Sequence, residues 1–259
     1  MRLLSLLVIF IASMCGPRAA FADDIDIIGA DGRQLSVIAS FPSGDGKFPA
    51  IILAPGQGYH MNLPVMEEAA RSFIGQGTAV FRFNWSYFTA QPRGKPSEDL
   101  SKELQDFQAV LAAARNHPRV AGDKLVVGGK SLGSLVAWRA LSADPKLRGA
   151  LLLTPVCSRV PNGESQPRPE ANENYPGLDT QERPSLWISG DRDPLCSAQV
   201  LYTFASSSRR ARVAIVGGDH GFENRALQPA GAETVRKRNI AAVSVLAAAF
   251  VSDAVNALP

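Results

Sequence analysis

The stretch Leu125-Val126-Val127-Gly128-Gly129-Lys130-Ser131-Leu132-Gly133 joins a short apolar run to the spacing G-x-S-x-G. A strand that ends in a tight turn and restarts as a helix forces the residue at the turn into strained dihedral angles and exposes its side chain above the sheet. Gly129 and Gly133 supply the small residues that such a turn needs on either side. The pattern predicts a strand, a turn and a helix, with Ser131 at the turn and placed to act as a nucleophile.

The same residues permit two other interpretations. Gly129-Lys130-Ser131 resembles the end of a phosphate-binding loop, but that loop needs a glycine five residues before the glycine of the G-K pair, and Lys124 stands there. Phosphate binding is therefore excluded. Glycines also flank serines in ordinary loops, so this stretch alone leaves catalysis open.

Two later apolar runs lead into loops that carry an acid and a histidine. Residues 186–188 precede S-G-D-R-D-P at 189–194, and residues 213–216 precede G-G-D-H-G-F at 217–222. A serine turn of this kind takes its acid and its histidine in that chain order, each from the loop after a later strand. His220, one of three histidines in the chain, is the predicted general base.

Asp191 and Asp193 compete for the acid that would orient His220. Asp193 ends a G-x-x-D spacing from Gly190 and is followed by Pro194, and we predict that it holds the imidazole. Asp191 would instead accept backbone N–H bonds within the turn, as aspartates in such loops do. The sequence favours Asp193 and leaves Asp191 as the alternative.

An oxyanion hole requires two backbone donors, one of them from the residue after the nucleophile. Leu132 is the predicted first donor. The apolar run 50–54 breaks at P-G-Q-G-Y-H-M-N, residues 55–62, whose glycines allow amides to face inward. Gln57 is the predicted second donor, with Gly58 as its alternative, although the loop alone also fits a plain glycine-rich turn.

Five motifs in order resemble one branch of the α/β-hydrolases. They are P-G-Q-G-Y-H-M-N-L-P (55–64), R-F-N (82–84), G-G-K-S-L-G-S (128–134), G-D-R-D-P-L-C (190–196) and G-D-H-G-F (218–222). The branch is related to dienelactone hydrolases and also holds a testis-expressed protein and a subunit of the NSL histone acetyltransferase complex. The resemblance implies a triad of Ser131, Asp193 and His220.

The chain departs from that branch at Pro55, where its members commonly carry the histidine of H-G-x-G, and proline also removes an amide donor. The NSL-complex relative works as a scaffold, so the fold does not by itself establish catalysis. The prediction is a serine hydrolase that cleaves a small-molecule ester through an acyl-enzyme. The alternatives are a non-catalytic binding or scaffold protein and an acyltransferase.

The first residues are typical of an export signal. Arg2 is followed by the apolar run 3–11 and then by Ala20-Phe21-Ala22, an A-x-A cleavage site. We expect a signal peptide at 1–22, a single hydrolase domain at 23–259, a periplasmic or secreted location, and no stable membrane insertion after cleavage. The apolar run is too short to span a membrane comfortably.

Two cysteines lie beyond that leader, Cys157 after the run 151–153 and Cys196 after the run 186–188. Their strands are predicted neighbours, so an oxidising compartment could join the two thiols. Sequence cannot fix the Cα separation that a disulfide needs, so two separate thiols remain equally consistent with it.

Composition fits one α/β domain, with 259 residues, 46% of them hydrophobic, and a formal net charge of +3. Strands are predicted at 35–41, 50–54, 78–84, 124–128, 149–154, 185–189 and 212–216, forming a mostly parallel sheet flanked by helices. One helix is predicted to start at a Ser97 cap and another to cover 234–258.

The proline-rich segment 158–184 predicts a short loop excursion instead of a large cap, with Tyr175 lining the pocket or lying in a solvated loop. We expect no cofactor, no metal and no nucleic-acid partner.

Overall fold

The apolar runs form most strands of an eight-stranded mixed sheet in the computed structural model, which describes residues 21–159, 168–169 and 171–257 and also contains two separate two-stranded sheets. The strands are β1 (Phe21–Asp24), β2 (Ile27–Ile28), β3 (Gln34–Leu35), β4 (Val37–Phe41), β5 (Phe48–Ala54), β6 (Ala79–Phe83), β7 (Val120–Lys130), β8 (Ala150–Leu153), β9 (Ser158–Arg159), β10 (Arg168–Pro169), β11 (Ser185–Gly190) and β12 (Ala211–Val216). All seven predicted strands are present with shifted ends, and the first of them, 35–41, is interrupted at Ser36 between β3 and β4.

Eight of these strands pair in the order β1-β4-β6-β5-β7-β8-β11-β12. The pairs β1–β4 and β4–β6 are antiparallel, and every pair from β6 to β12 is parallel. The carboxyl ends of β5, β7, β8, β11 and β12 therefore meet at one edge of the sheet, where ligands bind in open α/β sheets.

Helices cover both faces of the sheet. They are α1 (Pro64–Gly75), α2 (Ser86–Thr89), α3 (Ser101–Asn116), α4 (Leu132–Ala143), α5 (Ala171–Asn174), α6 (Ala198–Ser206) and α7 (Pro229–Asn256). Buried residues of α3, α4 and α6 belong to one core cluster, and those of α1 and α7 belong to the other. This is the predicted α/β-hydrolase fold, a mostly parallel sheet between two helical layers.

Helix α7 is long and apolar enough to cross a membrane by length and composition alone. Its residues Val243, Ala247, Val251 and Val255 are instead buried in the core cluster that α1 shares. The helix covers the sheet as the core helix of a globular domain does.

Two predicted boundaries were wrong. Helix α3 begins at Ser101, because Leu100 before it has a left-handed φ of 59° that no helix accommodates. Ser97 lies outside the helix and donates its hydroxyl to Glu103 Oε2 at 2.5 Å. Helix α7 starts earlier than predicted, at Pro229, whose ring suits a first helical turn.

Other predictions fall wholly or partly outside the described residues. Most of the predicted signal peptide lies outside the described residues. Its last two residues, Phe21 and Ala22, begin the edge strand β1, which was not predicted. Part of the excursion 158–184 also lies outside them. Within its described part, Tyr175 is fully buried between Trp138 and Trp187, so it belongs to the core and not to a solvated loop.

Cys157 and Cys196 form a disulfide with a Cα–Cα distance of 4.8 Å. The sequence left this pairing open, and it follows from β8 and β11 being neighbours in the sheet. The bond ties the loop after β8 to the loop after β11, which carries the predicted acid.

Candidate active site

Ser131 lies in a strained turn between β7 and α4, with φ 53° and ψ −120°. A Cβ on Gly129 would come within 2.2 Å of the Gly133 carbonyl, and one on Gly133 within 2.6 Å of the Ala54 carbonyl oxygen. Only glycine fits at both places, so strand and helix can approach closely enough to form the turn. The predicted local structure around Ser131 is therefore present.

His220 and Asp193 are brought together by the loops after β12 and β11. The imidazole Nδ1 lies 2.9 Å from Asp193 Oδ2 and 3.0 Å from Oδ1. The Asp193 side chain is fully buried, and its carboxylate also accepts hydrogen bonds from the Leu195 amide and the Ser189 hydroxyl. These contacts fix the carboxylate in the plane it needs to hold the ring.

The carboxylate assigns the proton of a neutral imidazole to Nδ1, which leaves Nε2 with a free lone pair. Nε2 is buried and has no hydrogen-bond partner among the described residues. His220 also adjoins the serine turn, because Lys130 Nζ donates to the His220 carbonyl oxygen at 2.9 Å. The arrangement leaves a basic nitrogen unoccupied on the loop that contacts the residue before Ser131.

Asp191 has the other role that the sequence offered for it. Its Oδ1 accepts the Gly218 amide at 2.6 Å, which ties the loop after β11 to the loop after β12. The two loops are so close that a Cβ on Gly190 would lie 2.2 Å from the Gly218 carbonyl oxygen. Asp191 thus fastens the two loops, while Asp193 contacts the histidine.

The predicted oxyanion donors lie on two segments beside Ser131. Leu132 opens α4, and the first amides of a helix have no partner within the helix. Gln57 and Gly58 are the central residues of a turn closed by the Tyr59 amide and the Gly56 carbonyl at 3.4 Å, and Gln57 is exposed. A Cβ on Gly56 would lie 3.2 Å from Ser131 Cβ, so this turn rests directly against the serine.

Three residues at and after the end of β6 hold this turn. Arg82 and Asn84 of the R-F-N motif were assigned no role from the sequence, and Trp85 was not singled out. Trp85 Nε1 donates to the Pro55 carbonyl oxygen at 3.1 Å, and Asn84 Oδ1 accepts the Met61 amide at 2.8 Å. Arg82 donates to the Met61 carbonyl oxygen at 3.0 Å, and burial lowers the pKa of its guanidinium. The R-F-N motif and the tryptophan after it therefore anchor the loop that Pro55 begins.

Lys130, also missed, is a buried cation next to the serine. Its ammonium donates to Thr154 Oγ1 at 3.0 Å as well as to the His220 carbonyl, and it lies 5.2 Å from the centre of the Tyr59 ring. Burial lowers the pKa of Lys130 to about 8, against the opposing effect of nearby carboxylates. The sequence signal was a lysine directly before the serine of G-x-S-x-G, but the motif does not specify which residue type stands at that position.

Ser134 supports the serine from the first turn of α4. Its hydroxyl donates to the Ser131 carbonyl oxygen at 2.6 Å and shares a hydrogen bond of 3.0 Å with the Tyr175 hydroxyl. Burial raises the pKa of Tyr175 above its usual value. The tyrosine predicted as a pocket residue therefore acts behind the turn, through Ser134.

A cavity of about 160 Å³ adjoins the site, and Tyr59, Val65, Lys130, Gly221 and Glu223 are among its lining residues. Two of the larger cavities, of about 700 and 390 Å³, lie at the opposite edge of the sheet beside Pro184 and Arg210. Neither contains a predicted site residue. Among the described residues, no group of three His, Cys, Asp or Glu side chains is arranged to hold a metal ion.

A mostly parallel sheet with a strained serine turn at the carboxyl end of a central strand is the architecture of the α/β-hydrolases. The chain belongs to the alpha/beta hydrolase domain family, whose model matches residues 47–252. It is similar to the quorum-quenching protein AidA of Acinetobacter baumannii, with 26% identity over 116 residues, 44% of this chain and 38% of AidA. The chain therefore matches well under half the length of that relative.

Solved structures show the same fold at low identity. An α/β serine hydrolase without a lid, XC6422 from Xanthomonas campestris, superposes with a TM-score of 0.63 and 19% identity over 92% of this chain and 97% of that one. The esterase domain of a Rhodothermus marinus protein gives a TM-score of 0.66 and 16% identity over 91% of this chain and its full length.

Proposed function

We propose that this protein is a serine hydrolase that cleaves a small carboxylic ester through an acyl-enzyme. The observation that carries the proposal is the hydrogen bond between His220 Nδ1 and Asp193, because it leaves Nε2 unoccupied in the loop that contacts the serine turn. In the proposed mechanism Ser131 Oγ loses its proton to His220 Nε2 and attacks the ester carbonyl carbon, and Asp193 stabilises the imidazolium that forms.

The tetrahedral intermediate then collapses as His220 returns the proton to the leaving alkoxide, which departs as an alcohol. Water attacks the acyl-enzyme in the second half of the reaction, again giving its proton to His220, and the acid product leaves with Ser131 restored. The amides of Leu132 and Gln57 would stabilise the oxyanion in both halves. The similarity to esterase structures supports an ester as substrate.

The test combines a variant with a covalent probe. We expect Ser131→Ala to lower kcat on an activated aryl ester by about 10⁴- to 10⁶-fold, and we expect a fluorophosphonate to modify Ser131 in the wild-type chain. Ser142→Ala is the matched control, since Ser142 lies on α4 and donates its hydroxyl to the Trp138 carbonyl within that helix. Near-full activity in Ser131→Ala would end the proposal.

The alternatives give different results. An inert scaffold on this fold would leave the fluorophosphonate unreacted. With an added alcohol, an acyltransferase would convert most of the acyl group to a new ester and release little free acid, whereas a hydrolase would still release mainly free acid. The closer kinship to the branch of dienelactone hydrolases, the testis-expressed protein and the NSL subunit is part of this proposal, and the motifs at 55–64 and 128–134 support it.

We also propose that the chain is exported, with residues 1–22 removed. The apolar leader with its A-x-A site and the disulfide between Cys157 and Cys196 support this, because disulfides persist in oxidising compartments. Mass spectrometry of the periplasmic fraction of a producing bacterium should find an N-terminus at Asp23. An uncleaved chain confined to the cytosol would contradict the export proposal and leave the chemistry untouched.

A further inference from the structure

Lys130 is a buried ammonium whose two hydrogen-bond acceptors are neutral oxygens. The residue is 2% exposed, and its Nζ donates to a hydroxyl and to a backbone carbonyl. Removing an ammonium from water costs several kcal/mol unless its new contacts compensate. An apolar side chain of similar length would avoid that cost, so the value of the lysine lies in what its hydrogen bonds hold in place.

Those hydrogen bonds join three segments at the carboxyl edge of the sheet. Lys130 is the last residue of β7, Thr154 follows β8, and His220 lies in the loop after β12. Thr154 is itself fixed, because its amide donates to the Ile188 carbonyl of β11 at 2.7 Å. The ammonium therefore links the histidine loop to a rigid part of the sheet.

His220 is consequently held on two sides of its Cα atom. Asp193 holds the imidazole at Nδ1, and Lys130 holds the backbone carbonyl at 2.9 Å. One contact orients the ring, and the other sets how far the backbone lies from the serine turn. Since Lys130 precedes Ser131 in the chain, the position of the nucleophile and that of the base are coupled through a single residue.

We propose that Lys130 is a positioning residue that keeps His220 in register with Ser131 by binding the His220 backbone carbonyl. The inference rests on the proposed function, since it concerns the geometry of the same triad. A displacement of about 1 Å between a nucleophile and its base can cost about 10²-fold in rate. The lysine acts on the rate without contacting the substrate.

The ammonium also sets the charge around the imidazole. Asp193 from the loop after β11, and Asp219 and Glu223 from the loop after β12, all act on Lys130 and raise its pKa, while burial lowers it more. The Tyr59 ring faces it from the loop after β5. The ammonium thus lies among three carboxylates and near the face of an aromatic ring, and its removal would leave those carboxylates without the cation that they act on.

Three variants test the proposal on an activated ester. Lys130→Met keeps the length of the side chain and removes the donors and the charge, Lys130→Arg keeps both, and Lys102→Met removes an exposed lysine of α3 as the matched control. We expect Lys130→Met to lose about 10- to 100-fold in kcat with KM changed less than about twofold. We expect Lys130→Arg to recover kcat to within about threefold of the wild type, because it keeps the donors and the charge.

The outcomes separate this inference from the function on which it rests. A wild-type chain that neither hydrolyses esters nor reacts with a fluorophosphonate would overturn the proposed function. An active wild type with a folded Lys130→Met variant of unchanged kcat would overturn only the role of Lys130.

If Lys130→Met does not fold, the pair Thr154→Val and Thr154→Ser decides. Valine keeps the shape of threonine and removes the acceptor that anchors the ammonium, whereas serine keeps that acceptor. A kcat lowered about threefold or more in Thr154→Val and restored in Thr154→Ser supports the positioning role. Equal kcat values in the two variants overturn it.

Discussion

Two aspartates on one loop, two residues apart, contact different partners. Asp193 is buried against the imidazole, and Asp191 is half exposed and accepts the Gly218 amide. The difference is caused by the turn, because the Asp193 amide donates back to the Gly190 carbonyl at 3.2 Å and directs the carboxylate inward. Contact with the histidine and closure of the two loops are thus divided between neighbouring carboxylates.

Asn at these two positions should therefore have unequal effects. Asp193→Asn replaces one carboxylate oxygen by an NH₂ group, which cannot accept the Nδ1–H of His220. We therefore expect kcat to fall by about 10³- to 10⁴-fold. Asp191→Asn keeps an oxygen for the Gly218 amide and should change kcat by less than about threefold. Steady-state kinetics on one ester measures both, and the reverse ranking would assign the acid to Asp191.

The residues that sequence could identify are those that carry a spacing. Ser131 is marked by its glycines, and Asp193 and His220 by their order after apolar runs. Lys130 could not be assigned, because its role depends on a hydroxyl after β8 and a carbonyl after β12, and no spacing encodes a backbone carbonyl. For the same reason, the sequence could not show that the Pro55 carbonyl oxygen accepts the indole N–H of Trp85.

At the scale of elements, the loop 55–62 owes its position to the end of β6 and the residues after it. Pro55 has no amide N–H to donate. Its carbonyl oxygen accepts the indole N–H of Trp85, which follows β6. This indole hydrogen bond acts together with those that Asn84 and Arg82 make to Met61. The position of the predicted oxyanion donor Gln57 therefore depends on the residues at and after the end of β6.

Trp85→Phe should loosen this loop without disturbing the packing. Phenylalanine keeps the edge-to-face contact with Phe83, whose ring centre is 4.8 Å away, and leaves the Pro55 carbonyl unsatisfied. We expect the free energy of unfolding to fall by about 1 to 3 kcal/mol and kcat to fall by about 10-fold.

Trp187→Phe is the matched control for that variant. Trp187 is equally buried, and its Nε1 donates to Ser185 Oγ at 2.9 Å, away from the loop 55–62. Its loss of stability should be similar, with kcat retained to within about threefold. Urea unfolding and ester kinetics on both variants test the difference, and an equal loss of kcat would show that Trp85 acts only through general stability.

Element boundaries show where local pattern stops being informative. The apolar runs predicted every parallel strand, because such strands are covered on both faces and contain few polar residues. The start of α3 was wrong, since Leu100 adopts a left-handed conformation that its residue type does not favour. Strand β1 was missed because its four residues belong to a segment that also reads as a leader and its cleavage site.

At the scale of the whole molecule, the buried ammonium makes stability depend on pH. Burial lowers the pKa of Lys130 in the folded protein to about 8, from an ordinary value of 10.5. Below pH 8 both folded and unfolded chains carry the proton, and between pH 8 and 10.5 the unfolded chain binds more protons. Stability from this group is therefore gained as pH rises through that window and lost as pH falls back to 8.

The difference in the free energy of unfolding between wild type and Lys130→Met isolates this effect, because all other titrating groups are common to both chains. We expect the difference to move in favour of the wild type by about 2 kcal/mol between pH 7 and pH 10. Urea unfolding at several pH values, without reductant so that the disulfide stays closed, provides the measurement. Lys102→Met, which removes an exposed lysine, should show a constant difference. A constant difference for Lys130→Met as well would mean that the ammonium is not desolvated in the folded chain, because only a group whose pKa changes on folding can produce the slope.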